Sequence, residues 1–165
     1  MVGGAPAAIA RGEPVLRAMG TAVMRIGDLG SGQAMKALNN LVSAAGFLIG
    51  IEALLIGKKF GLDPALMTDV LNASTGMNDS TQKKFKQFVL TEKFTSGFSL
   101  DQMVKDLSIA LEVGRKGRVS MPFAPYAARC GRRTGSHRVV EILRDACRCA
   151  VDGEVRRRQA TAMSR

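Results

Sequence analysis

One apolar stretch limits what this chain can fold into more than any other feature. Residues 41–56 read LVSAAGFLIGIEALLI, so apolar side chains cover nearly every face of a helix. A helix with this pattern is expected to be buried on nearly every side. The run has 16 residues and contains Glu52, whereas a membrane span needs about 20 apolar residues. We therefore predict a buried core helix over about residues 33–60. A membrane helix that packs through Gly46 and Gly50 is the alternative.

The segment before this helix predicts a small unit of mixed structure. Residues 2–4 are short and apolar, residues 7–19 have apolar positions at helical spacing, and residues 21–26 (TAVMRI) alternate as a strand does. A strand–helix–strand unit of this size cannot bury a core of its own. We expect residues 1–26 to belong to a larger sheet.

Local start signals predict shorter helices after the long one. Each begins at a side chain that can cap a helix, and in one case a proline follows in the first turn. The predicted helices cover about residues 64–72 after Asp63, 81–90 after Asn78–Ser80 and 100–114 after Ser99, with a further helix or a linker from Pro122.

The composition agrees with a helical fold. The chain has 165 residues, of which 46% are hydrophobic and 5% aromatic, with no Trp. This length allows one substantial core, and abundant Leu, Ala and Met favour helices packed on helices over a β-sandwich. The predicted fold class is mainly α: a helical bundle around one long buried helix, with a small strand–helix–strand unit at the N-terminus.

The last part of the chain differs in composition from the rest. Residues 126–165 hold ten arginines, no lysine and four acidic residues, together with all three cysteines and the single histidine. The cysteine and histidine spacing fits no zinc motif, so no metal site is expected. An odd number of cysteines fits a protein of the reducing cytoplasm. We interpret this part of the chain as an Arg- and Cys-rich tail. A basic nucleic-acid-binding tail is the alternative.

A glycine-rich turn leads into the long helix and carries its polar residues. The stretch is Gly27-x-x-Gly30-x-Gly32-x-x-x-Lys36-x-x-x-Asn40. Lys36 and Asn40 are four residues apart, so they lie on one face of a helix. Backbone amides at a helix N-terminus can bind a carboxylate, and a lysine that an apolar helix partly desolvates is suited to proton transfer. A glycine linker followed by a lysine that reaches solvent is the alternative.

This motif is similar to the substrate-binding and catalytic motif of the β-hydroxyacid dehydrogenase family, of the 3-hydroxyisobutyrate dehydrogenase and tartronate semialdehyde reductase type. Further blocks resemble the same family in the same order, so the likeness covers residues 1 to about 124. These blocks are residues 61–76 (GLDP and VLNASTG), 97–107 (GFSL and MVKDL) and 119–122 (VSMP), preceded by MVGG at 1–4 and AMG at 18–20.

The resemblance implies a fold like the C-terminal domain of 6-phosphogluconate dehydrogenase, and a chain of three parts. Residues 1–26 would be a remnant of the nucleotide-binding domain, and residues 27–124 the helical domain for substrate binding, catalysis and dimerisation. Because the likeness ends near residue 124, residues 125–165 would be a divergent Arg- and Cys-rich tail, consistent with a shifted reading frame. The family's dinucleotide-binding domain, with its glycine fingerprint, would precede residue 1.

The resemblance also implies roles for individual residues. Lys36 would be the catalytic acid/base. Gly30, Gly32 and Asn40 would bind the substrate. Lys105 would contact the cofactor, NAD or NADP, and Asp106 beside it would be structural.

The implied activity is that of an NAD(P)-dependent oxidoreductase acting on a small β-hydroxyacid (3-hydroxyisobutyrate-like) or its semialdehyde, inactive without the nucleotide-binding domain. We expect a homo-oligomer formed through the helix at 33–60, with no nucleic acid and no membrane as partner. A non-catalytic helical oligomerisation module is the alternative function.

Overall fold

The structure is a computed structural model that describes residues 1–91 and 99–133. Most of the predicted tail therefore lies outside the described residues. Helices dominate the described part, with two short strands near its start. In chain order the elements are β1 (Val2–Gly3), α1 (Pro6–Met19), β2 (Arg25–Gly27), α2 (Ser31–Phe60), α3 (Pro64–Asn72), α4 (Asp79–Lys83), a π-helical turn (Phe85–Val89), α5 (Leu100–Lys116) and α6 (Ala124–Arg133).

The long helix α2 is present, as the apolar stretch predicted. It has 30 residues, which gives a length of about 45 Å at 1.5 Å per residue. Glycines in the left-handed conformation flank it: Gly30 (φ 91°) precedes the first turn and Gly61 (φ 101°) ends the last. The helix begins earlier than expected, and Ser31 lies in its first turn, where its hydroxyl donates to the Asp28 carbonyl oxygen at 2.6 Å.

Two hydrophobic clusters form along α2. The first joins its N-terminal half to α5 and α6, and the second joins its C-terminal half to α3 and the π-helical turn. The buried members are Ala44, Leu107, Leu111 and Ala128 in the first cluster, and Ile51, Leu54 and Phe85 in the second. The mainly α fold class is thus confirmed, with α2 as the element that both clusters share.

Gly50 has a packing role in the second cluster. A Cβ atom placed on Gly50 would lie 2.6 Å from Cζ of Phe85, a side chain that is completely buried. The Phe47 ring meets the Phe85 ring edge-on, with centroids 5.8 Å apart. The glycine in this apolar run thus makes room for an aromatic ring of a neighbouring segment.

The expectation that α2 is buried on nearly every side is wrong in part. Val42, Ile49 and Ile56 are 73%, 62% and 67% exposed. The elements packed on α2 leave this side of the helix uncovered among the described residues. By length and composition alone, α2 is the one described helix that could cross a membrane, a test that the core helix of a soluble protein also passes.

The N-terminal strand–helix–strand unit is present but smaller than predicted. β1 pairs in parallel with β2, which covers Arg25–Gly27 and not the predicted residues 21–26. The reason is that β1 has only two residues, so it offers a hydrogen-bonded partner to few residues of the second strand. None of the residues of α1 is buried, and this unit contacts the helical bundle through its strands.

Two further differences concern the C-terminal half. The single helix expected at residues 81–90 is divided into α4 and the π-helical turn. Helix α6 begins at the predicted end of the helical domain and continues past it, and Ala127 and Ala128 are buried. The described core therefore extends beyond residue 124, and the divergence of the remaining tail stays a prediction.

Candidate active site

The start of α2 is a glycine turn that leaves the helix N-terminus without a side-chain cap. Gly27 (φ 156°) and Gly30 (φ 91°) adopt backbone conformations that L side chains rarely reach. The turn that contains these glycines leads directly into α2, and no side chain caps the first backbone amides of the helix. The first turn of a helix has backbone N–H groups without intrahelical partners, and its dipole is positive there. A carboxylate is therefore a suitable ligand for this end of α2.

Strand β1 lies directly against the first turn of α2. A Cβ atom on Gly32 would lie 3.2 Å from the Gly3 nitrogen and 3.2 Å from the Met1 carbonyl oxygen, so a side chain at position 32 would require the strand backbone to shift by a few tenths of an ångström. An open cleft of about 610 Å³ lies at this junction, lined by Met1, Val2, Gly3, Leu29, Gly30, Gly32, Gln33 and Lys36. Three of the predicted site residues thus share one cleft: Gly30, Gly32 and Lys36.

The fourth predicted site residue on α2, Asn40, lies one turn further along the helix. The Lys36 Nζ donates to the Asn40 Oδ1 at 3.1 Å, as expected for side chains four residues apart. Asn40 is 5% exposed and does not line the cleft. Asn40 is connected to the cleft by its hydrogen bond with Lys36, which lines the cleft.

Lys36 itself is exposed among the described residues, so the expectation that the apolar helix partly desolvates it is wrong. The apolar run begins after Lys36, at residue 41, and Lys36 faces the open cleft. Any desolvation of Lys36 must come from a group that closes this cleft.

Helix α5 adds two charged residues to this pair. The Asn40 Nδ2 donates to the Asp106 Oδ2 at 2.5 Å, across a sequence separation of 66 residues. The Lys105 Nζ lies 3.5 Å from the Asp106 Oδ1. The Asp106 side chain is 15% exposed and the Lys105 side chain 68%. The result is a continuous polar row from Lys36 through Asn40 and Asp106 to Lys105.

Sequence reasoning missed the contact that Asp106 makes with Asn40. A signal for it exists in the pattern, because Asp106 directly precedes Leu107, which is 1% exposed on the buried stripe of α5. A carboxylate beside such a stripe needs a hydrogen-bond donor from the element packed against it. The sequence does not show which element that is.

Within residues 1–91 and 99–133, no three His, Cys, Asp or Glu side chains are grouped so that they could hold a metal ion. The row of polar side chains combines two lysines, one amide and one carboxylate, a set suited to proton transfer and anion binding.

Comparison with known proteins gives a consistent match. The family model described as "NAD-binding of NADP-dependent 3-hydroxyisobutyrate dehydrogenase" matches residues 30–139. The 2-(hydroxymethyl)glutarate dehydrogenase of Eubacterium barkeri is 35% identical over 127 residues, covering 77% of this chain and 42% of that protein. The 3-hydroxyisobutyrate dehydrogenase of Pseudomonas aeruginosa is 33% identical over 133 residues, covering 77% of this chain and 45% of that protein.

The fold has a similar counterpart among solved structures. The 3-hydroxyisobutyrate dehydrogenase of Mycobacterium tuberculosis, determined with L-serine, superposes with a TM-score of 0.78 at 28% identity. The match covers 87% of this chain and 54% of that structure. The chain therefore spans about half the length of the relatives it matches.

Proposed function

The chain belongs to the 3-hydroxyisobutyrate dehydrogenase family of NAD(P)-dependent β-hydroxyacid dehydrogenases, and from this premise we propose that it is the substrate-binding and catalytic half of such an oxidoreductase. The proposed substrate is a small β-hydroxyacid or its semialdehyde. The observation that carries the proposal is the Lys36–Asn40 pair at the uncapped N-terminus of α2. The chain spans less than half of its curated relatives, so we propose that catalysis requires a nucleotide-binding domain.

The substrate carboxylate would bind at the glycine turn. The amides near Gly30 and Gly32 and the helix dipole favour an anion, and no side chain occupies the position of a cap. The relative from Mycobacterium tuberculosis was determined with L-serine, a compound with a carboxylate and a β-hydroxyl group. A ligand of that shape, bound by its carboxylate at the helix end, can extend its hydroxyl group along the cleft towards Lys36.

Lys36 would transfer the proton. One of its N–H groups donates to Asn40, and the others remain for a substrate oxygen. During oxidation the neutral amine of Lys36 takes the proton of the hydroxyl group as the carbonyl forms. During reduction the ammonium group returns a proton to the carbonyl oxygen. When bound, the nicotinamide of NAD(P) accepts or supplies the hydride that completes either direction.

The cofactor would contact this chain through Lys105. Its ammonium group is anchored at 3.5 Å from Asp106 while most of the side chain stays exposed, which fits an anionic ligand arriving from outside the helical bundle. The sequence contains no GxGxxG fingerprint, so the remaining contacts are proposed to come from the nucleotide-binding domain.

A kinetic experiment tests this assignment. The chain is joined to the nucleotide-binding domain of a 3-hydroxyisobutyrate dehydrogenase, and NAD(P)H formation is followed with β-hydroxyacids. Lys36→Met is expected to lower kcat by about 10²–10⁴-fold, because the general acid/base is lost. Lys58→Met, at an exposed lysine near the other end of α2, is the matched control and keeps the original rate. Equal kcat for Lys36→Met, or no turnover in a joined protein that binds cofactor, contradicts the proposal.

Self-association through α2 is a second part of the proposal. Val42, Ile49 and Ile56 are exposed and seven residues apart, which places them along one side of the helix. This uncovered row also favours the alternative function, a helical oligomerisation module without catalysis. The kinetic experiment separates the two functions, since only the oxidoreductase requires Lys36.

A further inference from the structure

Asn40 is a buried amide held between groups of opposite charge. Its exposed fraction is 5%, so water has little access to it. On one side a lysine ammonium donates to it, and on the other a carboxylate accepts from it. An ammonium group can only donate and an ionised carboxylate can only accept. The amide therefore has a single orientation that satisfies both neighbours, with Oδ1 towards Lys36 and Nδ2 towards Asp106.

We propose that Asp106 is a positioning residue that anchors the Asn40 amide and, through it, holds the Lys36 ammonium group at the cleft. The catalytic consequence rests on the proposed function, whereas the anchoring itself does not. Asp106 comes from a different helix, so this contact also ties the packing of α5 on α2 to the position of Lys36.

The neighbouring contacts define what Asp106 alone contributes. The Asn39 Nδ2 lies 3.4 Å from the Asn40 Oδ1, so the oxygen has a second, longer donor besides Lys36. The Nδ2 group has Asp106 as its hydrogen-bond acceptor among the described residues. A buried amide donor that loses its acceptor bears the full cost of desolvation. Removing the Asp106 carboxylate thus leaves the Asn40 Nδ2 without this acceptor, and the orientation of the Asn40 side chain is no longer fixed from that side.

The charge of Asp106 is part of this role. Its Oδ2 accepts from the Asn40 Nδ2, and hydrogen bonds to an ionised acceptor are about twice as strong as neutral ones. Its other oxygen faces Lys105, the residue proposed to contact the cofactor. One carboxylate therefore connects the cofactor-side lysine with the lysine proposed to transfer the proton.

Nuclear magnetic resonance on the full chain tests the anchoring without any need for turnover. The side-chain amide protons of Asn40 and the Cε–Nζ correlation of Lys36 are recorded in the original chain, in Asp106→Asn and in Asp106→Leu. The matched control is Asp101→Asn, which makes the same chemical change at an exposed aspartate of α5. Backbone spectra report whether each variant keeps the fold.

In the original chain we expect one Asn40 amide proton to be shifted downfield and protected from exchange with solvent. Asp106→Asn keeps the shape of the side chain but replaces the charged acceptor by a neutral one. Exchange of this Asn40 proton with solvent therefore accelerates about tenfold, and the Lys36 signal moves. Asp106→Leu loses the protected proton entirely. Asp101→Asn leaves both signals in place.

The proposal is overturned if Asp106→Asn leaves the Asn40 proton and the Lys36 signal unchanged, or if the original chain shows no protected Asn40 proton. A shift of the Asn40 signal without any response of Lys36 also overturns it, because Asp106 would then serve the packing of α5 only. Should Asp106→Leu fail to fold, Asp106→Asn decides alone. Failure of the proposed function appears separately, as the loss of any Lys36 dependence in the kinetic experiment.

Discussion

Asn40 shows how one side chain can matter for stability as well as for chemistry. It connects α2 to α5 through Asp106. Asn40→Ala removes the donor and leaves the mostly buried Asp106 carboxylate without it. We predict a loss of about 1–3 kcal/mol in the free energy of unfolding, measured by chemical denaturation. The neighbouring Asn39→Ala is the control: at an exposed position it removes only the longer 3.4 Å contact with the Asn40 Oδ1, and stability should stay within about 0.5 kcal/mol. Equal stability of the two variants would show that the interhelical bond contributes nothing.

At the scale of residues, the sequence predicted what depends on spacing within one helix. Lys36 and Asn40 are hydrogen-bonded because four residues make just over one helical turn. The exposure of Lys36 and its link to Asp106 depend on which elements cover α2. Those contacts join residues far apart in the chain, so no local pattern contains them.

At the scale of elements, the contact between α2 and the π-helical turn makes a sharp prediction. Gly50→Ala would place a Cβ atom 2.6 Å from the ring of Phe85. Alanine favours a helix over glycine by about 1 kcal/mol, but overpacking a core costs about 1–3 kcal/mol. Because Phe85 is fully buried, its ring has little room to move, and we expect Gly50→Ala to lower Tm.

The control for this prediction is Gly46→Ala, one turn earlier in the same helix. A Cβ atom there would meet Asn78 at 3.5 Å, an ordinary contact distance. The gain in helix propensity therefore dominates, and Tm should stay equal or rise. Thermal unfolding followed by circular dichroism compares the two variants. A rise in Tm for both would show that Phe85 yields without cost.

The helices and strands were predicted well where their limits depend on residues of the same segment, and less well where they depend on other elements. α3 begins and ends at the predicted residues, and its start is fixed locally because the Asp63 carboxylate accepts from the amides of Ala65 and Leu66. The predicted helix at 81–90 is broken where Phe85 enters the space beside Gly50, a contact with another helix. The strand predicted at 21–26 is short because its extent depends on the partner strand. The sequence therefore sufficed for caps and helix periodicity, whereas pairing and packing required the fold.

At the scale of the whole molecule, the uncovered side of α2 predicts self-association. Burying an exposed apolar side chain such as Ile49 gains about 1.5–3 kcal/mol, and three such side chains lie along one line. We expect light scattering at micromolar concentration to show a dimer or a larger assembly. Ile49→Lys should shift the population towards the monomer, because it places a charge in the middle of the row. Val119→Lys, at a residue exposed to a similar degree after α5, is the control. A monomeric original chain would refute this packing argument.

The elements present in the whole molecule also predict its affinity for NAD(P). A dinucleotide site is built from several strands, with a glycine-rich turn that leads into a helix at the pyrophosphate. The described residues supply two short paired strands and, at the proposed cofactor side, the exposed Lys105. A single exposed ion pair contributes about 0–1 kcal/mol, far below the roughly 8 kcal/mol of a micromolar complex. We therefore expect calorimetric titration of the chain alone to show no micromolar binding.

The chain joined to a nucleotide-binding domain should bind NAD(P). Lys105→Met should weaken that binding, whereas Lys116→Met, at the end of the same helix, should not. Micromolar affinity in the chain alone would instead place a complete cofactor site in the helical part, the part that the NAD-binding family model matches.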